Sequence, residues 1–119
     1  MSAKKDRPVG VAVEARGAPK PGPVRLVGQY VIAEKLDPAR HGTDLWAALE
    51  GRDEVWDYMG QGPFADEAAF RAFLEERAGS ADPFAYAVID KASGKAQGIV
   101  TLMEIRPGAR VIDIGNIVY

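Results

Sequence analysis

An α+β domain is the fold class this sequence predicts: a strand and two helices, then a three-stranded antiparallel meander, with the helices packed on the sheet. Two observations predict it. Segments 37–51 and 66–79 carry apolar residues at the helical period, each between an aspartate and a glycine. Three later runs, 84–90, 97–105 and 111–119, read as strands joined by short turns. Connections that short exclude parallel neighbours, which need a crossover of about a dozen residues.

Taken in order, the β-formers Val27, Tyr30, Val31 and Ile32 predict a first strand ending near Leu36. Asp37-Pro38 reads as an N-cap followed by proline at the first helical position. The helix that follows puts Leu45, Trp46, Ala48 and Leu49 on its buried side, with Gly42 weakening its first half and Gly51 stopping it. Residues 52–64, RDEVWDYMGQGPF, fit neither period. Asp66 opens a second helix with a stripe of Phe70, Phe73, Leu74 and Arg77, ended by Gly79. FAYAVID, QGIVTLMEI and VIDIGNIVY then alternate with the turns KASGK and RPGAR.

At 119 residues the chain supports one core, and 47% apolar with 27% charged residues is ordinary for a globular domain. A net charge of -2 gives no general case for nucleic-acid or membrane binding. The charge is uneven: residues 1–26 hold six Lys or Arg against two acids, the remainder nine against fifteen. A basic, Pro/Gly-rich extended arm, 1–25, therefore precedes a folded body, 26–119. The arm reads as a solvated tail, or as a contact for RNA or an acidic partner. With no cysteine and a single histidine, His41, thiolate chemistry and multi-His metal sites are excluded, so no metal site is expected. His41 itself is expected at the surface. No run approaches the ~20 apolar residues of a membrane span, and the N-terminus lacks a signal peptide's apolar core, so the expected location is cytoplasmic.

The segments LDPARHGTDLWAAL (36–49), VWDYMGQGPFADEAAFRAFLEERA (55–78), AYAVIDKASGKAQGIVTLMEI (85–105) and IDIGNIVY (112–119), in this order, resemble the first half of a GNAT-superfamily N-acetyltransferase. The similarity is to the RimJ/RimL-like subgroup, which acetylates protein N-termini or small amines. It includes a D-x-x-T/S-G-x-x-x-G hairpin, here Asp90, Ser93, Gly94 and Gly98. The resemblance implies the N-terminal half of a GNAT fold, acetyl-CoA as acetyl donor, and a primary amine as acceptor. The family's pyrophosphate-binding signature, Q/R-x-x-G-x-G/A at a helix N-terminus, has no counterpart after Tyr119. The literal match Arg7–Ala12 precedes Gly17, Pro19 and Pro21, which deny it a helix. The 119 residues are thus expected to be inactive alone.

The resemblance also assigns roles. A carboxylate often stands on the family's fourth strand, which makes Asp113 the first choice for a base that deprotonates the amine; Glu104 is the other acid on the meander. The alternative for Asp113 is solvent exposure or pairing with Arg106 or Arg110. The fourth strand of the family bulges and offers a backbone N–H to the developing oxyanion, and Gly115 either marks that bulge or only allows close packing. On a regular strand Asn116 faces away from Asp113, so a bulge is needed for both to serve one site. The backbone of Ile117, Val118 and Tyr119 would lie along the pantetheine arm. The aromatic loop, with Trp56, Tyr58 and Phe64, would wall the acceptor site, or else cap the core.

Two other readings stand beside the acetyltransferase: a non-catalytic amine- or peptide-binding module, and a structural domain whose basic arm is its contact. The apolar last strand has no proline or lysine to blunt it. It is expected to self-associate or to pair with a separate C-terminal half.

Overall fold

Both helices begin where an aspartate can satisfy backbone donors that have no intrahelical acceptor. A computed structural model of the chain describes residues 10–12 and 16–119. Helix α1 spans Pro38–Leu49, with the Asp37 carboxylate accepting the Ala39 N–H at 3.1 Å. Helix α2 spans Glu67–Ala78, with Asp66 accepting the Ala69 N–H at 2.8 Å. Between them the aperiodic loop contains a 3-10 turn, Asp53–Trp56. The helices are cross-linked by Arg71, which donates to the Pro38 carbonyl (3.3 Å) and the Thr43 hydroxyl (2.8 Å). A Cβ at Gly42 would stand 2.8 Å from the Arg71 guanidinium, so a larger residue there would have to displace this link.

Five strands form one antiparallel sheet in sequence order: β1 Leu26–Val27, β2 Val31–Lys35, β3 Phe84–Asp90, β4 Lys95–Arg106 and β5 Val111–Val118. The meander lies where the turn signals put it. The first strand does not, because 27–36 is a tight hairpin rather than one strand. The Gly28 N–H donates to the Val31 carbonyl at 2.8 Å, reversing the chain so that Leu26 pairs with Ala33 and Val27 with Ile32. Lys91 Nζ holds the reversal by donating to the Gly28 carbonyl.

The core lies between the helices and one face of the sheet. Ala85, Ala87 and Ile89 of β3, Ile99 of β4 and Val118 of β5 meet Leu45, Leu49, Phe70 and Leu74. The small side chains of Ala85 and Ala87 let the helices sit close to the strands. On the opposite face, Ala33, Tyr86, Val100, Leu102 and Ile114 line an apolar hollow of about 340 Å³. The described part of the arm, 16–24, has no regular structure, yet it runs across this face instead of trailing free. Ala18 N–H donates to the Pro107 carbonyl at 2.7 Å, and the Tyr86 hydroxyl donates to the Gly22 carbonyl at 2.9 Å. Of the Arg7–Ala12 match, Arg7 to Val9 lie outside the described residues. Neither described helix is long and apolar enough to cross a membrane.

His41 is not at the surface; it is 2% exposed. Its Nδ1 accepts the Asp37 N–H at 3.0 Å, and its Nε2 donates to the Glu34 carboxylate at 2.8 Å. Accepting at Nδ1 places the ring proton on Nε2, so the neutral ring serves both partners. Glu34 also meets Arg40 (3.0 Å) and Arg25 (3.5 Å), binding the hairpin, β2 and the start of α1 into one cluster. The hydrogen bond from His41 is the main reason that the Glu34 carboxyl is held below its ordinary 4.5. Desolvation opposes this, and the Arg40 and Arg25 guanidiniums favour it.

Two bulges interrupt the β4–β5 ladder. Ile99 pairs with Val118 and Thr101 with Gly115, so Val100 alone faces both Asn116 and Ile117. Lower down, Met103 pairs with Asp113 and Arg106 with Val111, which leaves an extra residue on β4 around Glu104. Asn116 (φ 48°) and Glu104 (φ 50°) both adopt left-handed backbone angles. Asparagine tolerates that region better than most residues, glutamate less well.

Two measurements test these accounts. Replacing His41 with leucine strands the Asp37 N–H and the Glu34 carboxylate, and should cost about 2–3 kcal/mol in urea unfolding. Because the folded state favours ionised Glu34, its contribution is present above the ordinary carboxylate value and is lost as pH falls through the lowered one. Glu34→Gln should therefore flatten the acid limb of the stability profile; an unchanged limb would remove Glu34 from that role. At the upper bulge, Asn116→Gly should leave stability within about 0.5 kcal/mol, whereas Asn116→Val should lose about 1–2 kcal/mol. Equal losses for the two would mean that the asparagine side chain, not the backbone angle, is what matters.

Candidate active site

The upper bulge of β5 is where the chain departs most usefully from a regular sheet. Gly115 and Val118 are three residues apart and would face opposite sides of an uninterrupted strand. The extra residue restores Val118 to the core side, where it is 2% exposed and opposes Ile99. Asn116 and Ile117 share a single partner on β4, which frees backbone groups from the ladder. Both readings of Gly115 hold in part. The irregularity begins immediately after it, and a Cβ there would overlap Met103 Sδ.

The entry to the bulge is pinned by a residue that sequence reasoning passed over. Thr101 is buried, and its hydroxyl donates to the Gly115 carbonyl at 2.6 Å. Its only signal in the sequence is a hydroxyl inside the apolar run GIVTLM. At the other end, Tyr119 lies over Gly98, where a Cβ would overlap the tyrosine ring and the Val118 carbonyl.

The two acids differ in what they touch. Asp113 is exposed on β5, and its Oδ1 accepts the N–H of Ile114 at 2.8 Å. It pairs with neither Arg106 nor Arg110. Glu104 is engaged instead, with its Oε2 2.6 Å from Arg106 Nη2. Asp113 is therefore the less committed carboxylate, and it sits two residues before the Gly115 step into the bulge.

The aromatic loop is divided between core and solvent. Trp56 is 4% exposed, with its ring 5.2 Å from Phe64, 6.3 Å from Phe70 and 5.9 Å from Phe73. Phe64 is half-buried and stacks 5.0 Å from Phe73. Of the three loop aromatics expected to wall the acceptor site, Tyr58 alone is fully exposed. Trp56 and Phe64 thus form a second aromatic layer under the loop, and any wall that they give to an acceptor is the loop they support. Ile117 and Tyr119 are more than half exposed beside the buried Val118. Among the described residues no group of three His, Asp or Glu is placed to hold a metal ion.

No protein-family model matches this chain, and no curated protein does. Solved structures do. A GCN5-related N-acetyltransferase from Brucella melitensis is 39% identical, with a TM-score of 0.83 over 87% of this chain and 48% of its own. A protein assigned to the GNAT family of acetyltransferases, from Chromobacterium violaceum, is 28% identical, with a TM-score of 0.78 over 95% of this chain and 59% of its own. A third structure, described as an acetyltransferase, is 23% identical over 83% of this chain and 49% of its own, with a TM-score of 0.70, and bears on the fold alone. The chain thus has the fold of GNAT acetyltransferase structures and spans from 48% to 59% of the length of the chains it matches.

Proposed function

We propose that this chain forms the N-terminal part of an N-acetyltransferase of the RimJ/RimL-like kind, acting on a primary amine of a protein N-terminus or a small molecule. The observation that carries the reading is the bulge at Asn116–Ile117, on the strand that follows the two-helix layer in a fold shared with GNAT structures. Acetyl-CoA, when bound, supplies the activated acetyl group as a thioester. A backbone N–H freed at Asn116 or Ile117 would donate to the acetyl carbonyl oxygen, where negative charge would need stabilising. Ile117, Val118 and Tyr119 offer their backbone to the pantetheine arm. Asp113, directly or through a water, accepts the proton that an amine must lose before it attacks; an unperturbed amine with a pKa near ~10 is mostly protonated at neutral pH.

The pyrophosphate is a different matter. Anions bind where a helix presents free N–H groups, and both described helices have theirs capped internally, by Asp37 and Asp66. On this reading β5 would meet the pantetheine and acetyl ends of the donor, while neither described helix offers its diphosphate a cradle. The open edge of β5, with Ile112, Ile114 and Ile117 exposed, also invites a strand from another polypeptide.

Three outcomes are expected. Titrating the chain with S-acetylpantetheine and with acetyl-CoA, followed by amide NMR, should shift resonances at 115–119 with similar weak affinity. Sub-micromolar binding of acetyl-CoA, or shifts confined elsewhere, would overturn the assignment of β5. In an active form of the protein, Asp113→Asn should lower turnover most at low pH, where the amine most needs deprotonation; an unchanged pH–rate profile would remove it as the base. Light scattering coupled to size exclusion should show that the 119-residue polypeptide self-associates, and a stable monomer at high concentration would exclude the edge as a contact.

A further inference from the structure

A third bulge lies at the start of β4, in its ladder with β3. Val88 pairs with Gly98 and Ile89 with Ala96, so Gln97 has no partner across the ladder. An unpaired bulge residue is one whose side chain can be re-aimed. Gln97 lines two adjoining cavities between the second half of α1 and the sheet. One, of about 290 Å³, also touches Ala48, Arg52 and Tyr119. The other, of about 380 Å³, reaches Thr43, Asp44 and Lys95. Ala48 and Gln97 belong to both, so the two form one trough that ends beside the last residue of the β5 segment.

The polar groups in this trough are largely uncommitted. The Gln97 amide and the Tyr119 hydroxyl make no hydrogen bond among the described residues. Arg52 is 53% exposed, and among the described residues its ion pair is to the exposed Glu54 at 3.8 Å, a contact of little strength in water. Asp44 is engaged, its Oδ2 accepting the Ala96 N–H at 3.3 Å. The charged side chains that line the trough are Arg52, Lys95 and Asp44, with Glu54 beside Arg52. Arg52 and Gln97 together suit a planar anion, because a guanidinium and a primary amide can both donate to it. A doubly charged phosphate would gain less because Asp44 repels it.

We propose that this trough binds the carboxylate of the acceptor, with Arg52 as the residue that selects it. The inference rests on the acetyltransferase reading for what the ligand is, and narrows its substrate class to amines that also carry a carboxylate. The trough ends at Tyr119, next to the backbone proposed above for pantetheine.

The test uses the 119-residue chain at low salt, where exposed charges are least screened. N-acetylglycine is titrated while the side-chain amide resonances of Gln97 and the ring resonances of Tyr119 are followed; N-acetylglycinamide and inorganic phosphate are the comparisons. Saturable shifts with N-acetylglycine, little with the amide, and at least a tenfold weakening in Arg52→Ala with partial retention in Arg52→Lys support the proposal. Equal titration by N-acetylglycinamide, tighter binding of phosphate, no shift with N-acetylglycine, or an Arg52→Ala chain that binds like the parent overturns it. A dispersed spectrum for Arg52→Ala, expected for an exposed position, shows that loss of binding is not loss of fold. The readout needs no acetyl transfer. Failure here leaves the β5 assignment standing, and failure of S-acetylpantetheine at 115–119 leaves the carboxylate trough standing.

Discussion

A strand must alternate its side chains between two faces, and β5 has one residue too many to satisfy its neighbours without breaking that rule. Gly115 has to sit against Met103 and Thr101, and Val118 has to fill the core against Ile99. Only an odd insertion between them meets both demands. The core therefore imposes the bulge, and the bulge in turn sets Asn116 and Ile117 apart from the ladder. Burial of one valine, worth about 1.5–3 kcal/mol, is of the size needed to offset a left-handed asparagine. The feature that looks most functional is thus also a packing solution, and neither role needs the other to be absent.

The layer above the sheet is fixed by polar contacts more than its sequence pattern implies. His41 and Glu34 tie the start of α1 to β2, and Arg71 lies over Gly42 to tie α2 to α1. Each link satisfies groups that burial would otherwise leave costly. With both helix starts held, the aromatic cluster of Trp56, Phe64, Phe70 and Phe73 can carry the loop between them as a packed structure. That is why a loop without helical or strand period still has a defined path.

Local signals were enough for the helices and the last three strands. Asp37-Pro38, Asp66, Gly51 and Gly79 state their boundaries, and FAYAVID and its successors alternate between turn residues. What escaped the sequence depends on partners distant along the chain or hidden by neighbours. His41 looks like a helix-surface residue because its partner Glu34 is on the preceding strand. The 27–36 segment looks like one strand because Gly28 is outweighed by the β-formers around it. Gly115 draws attention to the bulge, but Asn116, the residue that takes the unusual angle, reads as a polar strand position. Trp56, whose place in a glycine-rich loop suits either a ligand wall or a cap on the core, is 4% exposed and packs on Phe64, Phe70 and Phe73.

The two bulges of the β4–β5 ladder also bear on how an apolar strand can stay available without being indiscriminate. Regular pairing between them runs only from Thr101 to Met103 and from Asp113 to Gly115. Bulges strengthen local twist, and a twisted edge offers a shorter flat template to a passing strand than a regular one would. Exposed Ile112, Ile114 and Ile117 still favour contact, with Ile114 61% exposed. The geometry therefore separates two requirements that a flat strand would merge. The apolar side chains supply affinity for whatever covers this edge, while the bulges restrict which backbone can align with it. The acyl donor proposed for Asn116 and Ile117 would need only a few hydrogen bonds there, and so would meet that restriction more easily than a second full-length strand.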